Sequence, residues 1–291
     1  MGGAVDLGRR QKKGRVSNME KKSMKIRWIN GACYEIALPD GTTIVTDPYV
    51  TPAGLEGFSV DDFEGADYIL VSHTHYDHTS DIGYLAEKFH SKIFIGEMSL
   101  RPLEHFFDND YVQYYPISNE EVYELGEFTM RTIRSKHTAL PEGRKATAGS
   151  AKAGAERKGI PLQGDADECG WVELYDFMIT LKDNFRFCIV AGVPFNRRNI
   201  AQIREYAPNL VIRQTLGTEE EYARMLAQLD APLAFPNHHE NPQRRFGMPM
   251  EQYVERINGL LQDMGSQTVL IDPVPYQWYE LGVTCTNIST L

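Results

Sequence analysis

Cysteine is scarce in this 291-residue chain, which has only Cys33, Cys169, Cys188 and Cys285 and no Cys-x-x-Cys pair. Such scattered thiols argue neither for a disulfide framework nor for a thiolate metal site, and they fit a reducing, cytoplasmic compartment. No apolar run approaches the roughly 20 residues that a membrane helix needs. No apolar segment near the start resembles a secretory signal, so no membrane association is expected. Positive charge is also short, with 30 Lys and Arg against 40 Asp and Glu and a net charge of −10. Residues 1–22 hold seven basic and two acidic residues, which leaves −15 on the rest of the chain. An acidic body repels a phosphate backbone, and no nucleic-acid partner is expected. There is no internal repeat. Length and ordinary hydrophobic content (42%) allow one large domain or two small ones.

The most informative stretch is Ile69 to Asp81, ILVSHTHYDHTSD. An apolar strand of Ile69, Leu70 and Val71, preceded by Tyr68, runs straight into His73, His75, Asp77 and His78. Alternate residues of an extended segment share a face, so His73 and His75 can hold one metal as a pair. Asp77 and His78 follow in the turn and address a neighbouring position. Imidazole and carboxylate are the ligands that suit zinc and similar divalent ions. The strand FTMRTIRSKHT (128–138) ends in His137, where a third ligand would be needed. Asp47 closes an early strand before Pro48. It is either a turn former or a carboxylate that hydrogen-bonds a metal-ligating histidine.

The rest of the chain reads as strands and helices in two similar halves. A basic, Gly-rich leader occupies 1–23, and the domain runs from 24 to 291. KIRWI (25–29), CYEIAL (33–38) and TTIVTDPYV (42–50) are strands, the last two joined by a turn at Pro39-Asp40-Gly41. Residues 51–66 read as loop, 80–90 as a short helix with Ser80 as its cap, and KIFIG (92–96) as a buried strand. A helix around Leu100–Phe107 and strands over 111–116, 121–125 and 127–134 follow. Histidines 90 and 105 lie on helical faces and read as structural. Residues 141–168, rich in Ala, Gly and Lys, form an insertion near the site mouth. The second half pairs strands 171–181 and 185–192. It continues with a helix (199–206), a strand (210–216), a helix (219–229) and a strand ending in His238 and His239. A helix over 249–263 and a closing strand TVLIDPVPYQWYEL, broken at Asp272-Pro273, complete it.

The ordered set HTHYDH at 73–78, His137 and His238 resembles the metallo-β-lactamase superfamily of metal-dependent hydrolases. The opening KIRWINGACYEIALPDGTTIVTDPYV looks most like the branch that holds the ascorbate-phosphate lactonases, and the match spans roughly residues 24–281. The resemblance implies an α+β fold, a four-layer αββα sandwich with the site at one edge between the sheets. It implies that His73, His75 and His137 hold a first metal and that Asp77, His78 and His238 hold a second. Asp47 matches the family's acidic residue at the end of an early strand. His238 is preferred to His239 because it follows Pro236-Asn237. One position departs from the pattern: where most members have an aspartate after the glycine and bridge both metals with it, this chain has Val193 after Gly192. Losing that carboxylate is expected to weaken the second metal most.

The function so implied is a hydrolase that uses zinc, as one or two ions with manganese or iron as alternatives. Hydroxide held on the metal would attack a carbonyl or phosphoryl centre, with Asp77 orienting the water or accepting its proton. The substrate would be a small molecule, anionic or phosphorylated, such as a lactone. Arg244 and Arg245, with Lys145, Lys152, Arg157 and Lys158 of the insertion, are candidates to recruit an anionic group, or are simply solvated. His239 is a lesser candidate ligand. Two other classes are a degenerate member that binds metal without turnover and a nucleic-acid-processing phosphodiesterase. Both a monomer and a homo-oligomer are compatible with the sequence.

Overall fold

The computed structural model describes residues 23–106, 112–137, 169–170, 172–192 and 197–282. The basic leader up to residue 22, the insertion at 141–168, Val193, Asn196 and Cys285 lie outside the described residues. Most strand sequences are continuous apolar runs rather than alternating ones, which is the pattern of strands buried on both faces. β5 (Lys92–Gly96) illustrates it: Phe94 faces the other sheet, while Ile93 and Ile95 face the helices.

One sheet contains β1 (Met24–Asn30), β2 (Cys33–Ala37), β3 (Thr43–Thr46), β4 (Tyr68–Leu70), β5, β6 (Gln113–Ile117) and β14 (Tyr279–Leu281), in the order β14-β1-β2-β3-β4-β5-β6. The other contains β7 (Val122–Glu124), β8 (Phe128–Ser135), β9 (Leu174–Leu181), β10 (Arg186–Val190), β11 (Leu210–Gln214), β12 (Leu233–Asn237) and β13 (Val269–Leu270). Its order is β13-β12-β11-β10-β9-β8-β7. Between the sheets Ile36, Leu70 and Phe94 meet Phe177, Phe187 and Phe235. Outside the first sheet, α2 (Ile82–Phe89) and α3 (Glu97–Phe106) place Ile82, Leu85 and Leu103 on Val45, Ile69 and Ile93. Outside the second, α4 (Arg197–Tyr206), α5 (Glu219–Leu229) and α7 (Met250–Asp263) place Ile203, Leu226 and Ile257 on Cys188, Val211 and Ala234. The architecture is the expected α+β, four-layer αββα sandwich.

Several local expectations change. The closing segment is not one strand: β13 joins the second sheet, and β14 crosses to pair antiparallel with β1. The loop 51–66 contains two short 3-10 turns, Thr51–Ala53 and Val60–Asp62, the second closed by a Ser59/Asp62 capping box. Ser80 does not cap α2. It ends a one-turn helix, α1 (Tyr76–Thr79), and its hydroxyl donates to the Tyr76 carbonyl. His90 is the left-handed C-cap of α2 rather than a face residue. The helix expected from Leu100 starts three residues earlier, at Glu97. A further helix, α6 (Glu240–Phe246), follows the second histidine pair.

Strand direction positions the site. Strands β3, β4 and β5 are parallel, so Asp47 and His73 leave the first sheet at the same edge. In the second sheet β8 and β10 are both antiparallel to β9, and β10, β11 and β12 are parallel. His137 and His238 therefore leave at a common edge too. Hydrogen bonds across the gap join the two edges: Tyr175 N–H donates to Ser72 O at 2.9 Å, and His238 N–H to Gly31 O at 2.8 Å. The Tyr34 hydroxyl adds a third, to the Pro236 carbonyl at 2.5 Å. Open sheets commonly place ligand sites beyond such carboxyl ends.

Candidate metal centre

Two groups of three side chains converge at this edge. His73, His75 and His137 bring one ligand atom each within 4.8 Å of one another, and so do Asp77, His78 and His238. These are the two sets that the resemblance implies. The β4 strand ends three residues before His73, and the extended backbone carries His73 and His75 to one side. Thr74 points to the other side, where its hydroxyl meets Ser99 Oγ at 3.2 Å and Ser99 in turn donates to the buried Glu173. That polar chain pins the loop from behind. It also requires Gly96, because a Cβ there would stand 2.2 Å from the Glu173 carboxyl.

Asp47 binds from within the fold. It is 1% exposed, sits at φ 40°, and accepts from Ser72 N–H at 2.7 Å and from Ser72 Oγ–H at 2.8 Å. Its Oδ2 also lies 3.1 Å from His78 Nδ1. Ser72 spends its only hydroxyl proton on Asp47, so at 3.0 Å its oxygen accepts from His73 Nδ1–H. Both rings are thereby left with a lone pair on Nε2. His73 Nε2 faces His75 Nδ1 at 3.1 Å. Two nitrogens sharing a tetrahedral zinc would stand about 3.4 Å apart for ordinary zinc–nitrogen lengths.

His238 sits at φ 56° and gives the clearest sign that a cation belongs here. Its Nδ1 meets Glu240 Oε1 at 2.7 Å, and a carboxylate can only accept, so the ring proton lies on Nδ1. Its Nε2 is buried and has no hydrogen-bond partner. A buried lone pair without a donor is costly, and a metal ion satisfies it. The donor set fits a divalent ion.

The electrostatics of the two groups differ. Burial, followed by the crowding of neighbouring imidazoles, pulls His73 well below its usual range and His75 down to about 3, which keeps both neutral and able to ligate. Burial also pulls on His78, but the Asp47 and Asp77 carboxylates outweigh it and hold that ring above the usual range. Burial pushes Asp77 up, and the His78, His238 and His75 rings more than offset it, so its carboxyl lies below the ordinary value. Glu240 behaves alike: burial raises it, but the adjoining His238 ring holds it at about 2. The Tyr49 phenol is pushed up to about 12 by burial and then by Asp77 and Glu240, so it stays a donor. Its ring meets Tyr76 edge-on at 5.8 Å.

The remaining candidates fall elsewhere. His239 turns away from the cluster: its ring stacks on Trp28 at 3.6 Å, and its Nε2 meets the Pro236 carbonyl at 3.0 Å. Arg244 and Arg245 are exposed on α6, the first bonded to Asn241 and the second lying over Phe246. Sequence reasoning missed Glu240, Ser72, Tyr49 and Gly170. Glu240 follows His238 by two residues, and only the left-handed turn between β12 and α6 folds it back. Gly170 packs on the site directly: a Cβ there would stand 2.6 Å from His75 Cδ2 and 2.9 Å from its backbone nitrogen.

Fold and site together define a protein with two sheets back to back and, at one edge, a histidine-rich cluster that could hold a metal. A family model described as a beta-lactamase superfamily domain matches residues 25–151. A metal-dependent hydrolase of Cupriavidus taiwanensis is 26% identical over 241 residues, covering 78% of each chain. Another from Koribacter versatilis is 32% identical over 77 residues, covering 26% of this chain and 32% of its own. The chain thus spans a third or less of the length of the first curated relatives it matches. Among solved structures, a metallo hydrolase from the archaeon Ignicoccus hospitalis superposes with a TM-score of 0.62 at 14% identity, covering 89% of this chain and all of that one. Residues 25–151 are thus similar to the beta-lactamase superfamily domain, and the chain shares its fold with a solved metallo hydrolase. Among the described residues, no helix is long and apolar enough to cross a membrane.

Proposed function

We propose that this protein is a metal-dependent hydrolase acting on a carbonyl or phosphoryl centre of a small molecule. The observation that carries the reading is the pair of three-residue groups whose ligand atoms lie within 4.8 Å. The relatives' description as metal-dependent hydrolases supports it. His73, His75 and His137 would hold one ion, and Asp77, His78 and His238 another. Zinc suits the imidazole-rich set best, with manganese or iron as alternatives. A divalent ion there supplies Lewis acidity and brings the pKa of water toward neutrality.

The protein's own groups do the rest. Asp47 and Glu240 fix which nitrogen of His78 and His238 carries the proton. Asp77, ionised and about one-third exposed, is placed to orient a water and take its proton at a carboxylate oxygen. Tyr49, whose phenol burial and Asp77 push up to about 12, stays protonated and is able to donate. A small anionic substrate, of which a phosphorylated lactone is one kind, matches a cationic centre, and cytoplasmic residence matches the free thiols.

The test is metal content and turnover on one preparation. Protein purified without added metal should carry one or two zinc ions per chain by elemental analysis and hydrolyse at least one member of a panel of lactones, phosphodiesters and amides. Bound metal with no turnover across the panel would point to a non-catalytic binding protein, and absence of every transition metal would overturn the reading. A second expected outcome concerns Gly170→Ala. The added methyl displaces the His75 ring, and a misplacement of about 1 Å costs on the order of 10²-fold in rate. Measured kcat should fall by about that factor, and because the methyl also meets the His75 backbone nitrogen the melting temperature of the metal-free chain should fall too, as overpacking by about 1–3 kcal/mol predicts.

A further inference from the structure

Two adjacent histidines close β12, and only one of them enters the cluster. Extended backbone would leave His238 on the helix side with Ala234 and point His239 at the first sheet with Phe235. The left-handed φ of 56° instead turns His238 into the cluster, while His239 lies against Trp28 of the first sheet. That conformation is unfavourable for a residue with a Cβ, so contacts have to hold it. His238 N–H donates to Gly31 O at 2.8 Å, and Thr215 Oγ–H (2.7 Å) and Asn241 N–H (3.0 Å) donate to His238 O. Glu240 holds the ring at Nδ1.

The remaining contacts run through His239. Its ring lies parallel on the Trp28 indole, with centroids 3.6 Å and planes 16° apart, and both side chains are buried. Its Nε2 meets the Pro236 carbonyl at 3.0 Å, and a carbonyl only accepts, so the ring proton lies on Nε2. The Asp272 carboxylate stands 3.7 Å from the other nitrogen, beyond hydrogen-bond reach. The Trp28 indole N–H donates to Gly31 O at 3.1 Å, the same carbonyl that receives His238 N–H. Gly31 also sits beside the His238 ring, whose Cε1 and Nδ1 would be 3.9 Å from a Cβ there. Trp28 therefore holds both ends of the turn, His239 by stacking and His238 through Gly31. Any rotation that returned His238 to extended backbone would swing His239 off the indole and break its bond to Pro236.

We propose that Trp28 and His239 form a clamp between the sheets that holds the left-handed turn at His238 and so aims its ring at Asp77 and His78. His239, a candidate ligand by sequence, is then a positioning residue, and so is Trp28. The consequence for metal binding rests on reading His238 as a ligand. The turn itself does not.

The test uses full-length protein labelled with nitrogen-15 at histidine and stripped of metal by chelator. Long-range proton–nitrogen spectra report which ring nitrogen carries the proton. In the wild type His238 should be protonated on Nδ1 and His239 on Nε2. His239→Ala should leave His238 averaging between tautomers as its ring loses Glu240. Zinc alone, titrated against a chromophoric chelator, gives the second readout. His239→Ala should weaken by about 5–30-fold the binding step that His238→Asn abolishes, which is the ordinary disadvantage of a left-handed residue with a Cβ. His239→Gln, whose amide can still reach Pro236 O, should do less, as should Trp28→Phe, which keeps a ring but loses the donor to Gly31 O. Phe187→Ala is the control: it lies at the far end of these strands, loses stability without touching the turn, and should change neither readout. An unaltered His238 spectrum in both His239→Ala and Trp28→Phe would overturn the clamp. So would an equal change in Phe187→Ala, which would trace the effect to lost stability. If His239→Ala does not fold, His239→Gln and Trp28→Phe decide by the same signals. A wild-type chain that binds no zinc would remove the metal-site reading, and the tautomer spectra of the metal-free chain would still decide the clamp.

Discussion

Asp47→Asn is expected to leave a folded protein that holds metal about 10–100-fold more weakly, with a comparable loss of hydrolysis. The wild-type carboxylate accepts from three donors: Ser72 N–H, Ser72 Oγ–H and His78 Nδ1–H. An amide offers one oxygen and one NH2 group. If the oxygen stays on Ser72 N–H, the NH2 faces His78 Nδ1 and forces that nitrogen to accept. The ring proton then moves to Nε2, where the lone pair for the metal has to be. Asparagine keeps the backbone, since it tolerates the left-handed φ of 40° almost as aspartate does. Asp47→Ala should be worse in a different way. It strands buried donors at about 1–3 kcal/mol each, so loss of stability would accompany loss of metal. Zinc titration together with urea unfolding of both variants separates the two effects. Full-strength metal binding in Asp47→Asn would show that this carboxylate does not set the His78 tautomer.

Phe187→Ala should cost about 3–5 kcal/mol, read as a lowered urea midpoint at unchanged slope. Phe187 is fully buried on the central strand β10 and faces the other sheet within the cluster that holds the two together. Truncation opens a cavity that two hydrogen-bonded sheets cannot collapse into. Phe246→Ala is the control. That ring, on α6, is 44% exposed, and its removal should shift stability by no more than about 0.5 kcal/mol. Equal effects from the two variants would mean that the inter-sheet core is not what limits stability.

The two positions also mark how differently fold and site could be read from the chain. Runs such as KIFIG and FRFCIV are apolar on both sides of the strand, and a strand of that kind has to lie between two layers. The layering was therefore legible without coordinates. So was the HTHYDH cluster, because its candidate ligands are close in sequence and a period of two puts His73 and His75 on one face. Local pattern failed where the partner is distant or the backbone turns unusually. β14 reads like a continuation of β13 until the chain is seen to cross to the other sheet. His238 and His239 are neighbours of the same type. The positive φ of His238 sends one ring into the cluster and leaves the other stacked on Trp28. The sequence by itself determined the layers, the strand-end histidines and the kind of ion they suit, since each follows from spacing over a few residues. The tertiary structure alone decided which carboxylates stand behind those histidines. Asp47 meets His78 across 31 residues and Glu240 bends back over a left-handed turn, and a hydrogen bond depends on direction in space, which periodicity along the chain does not encode.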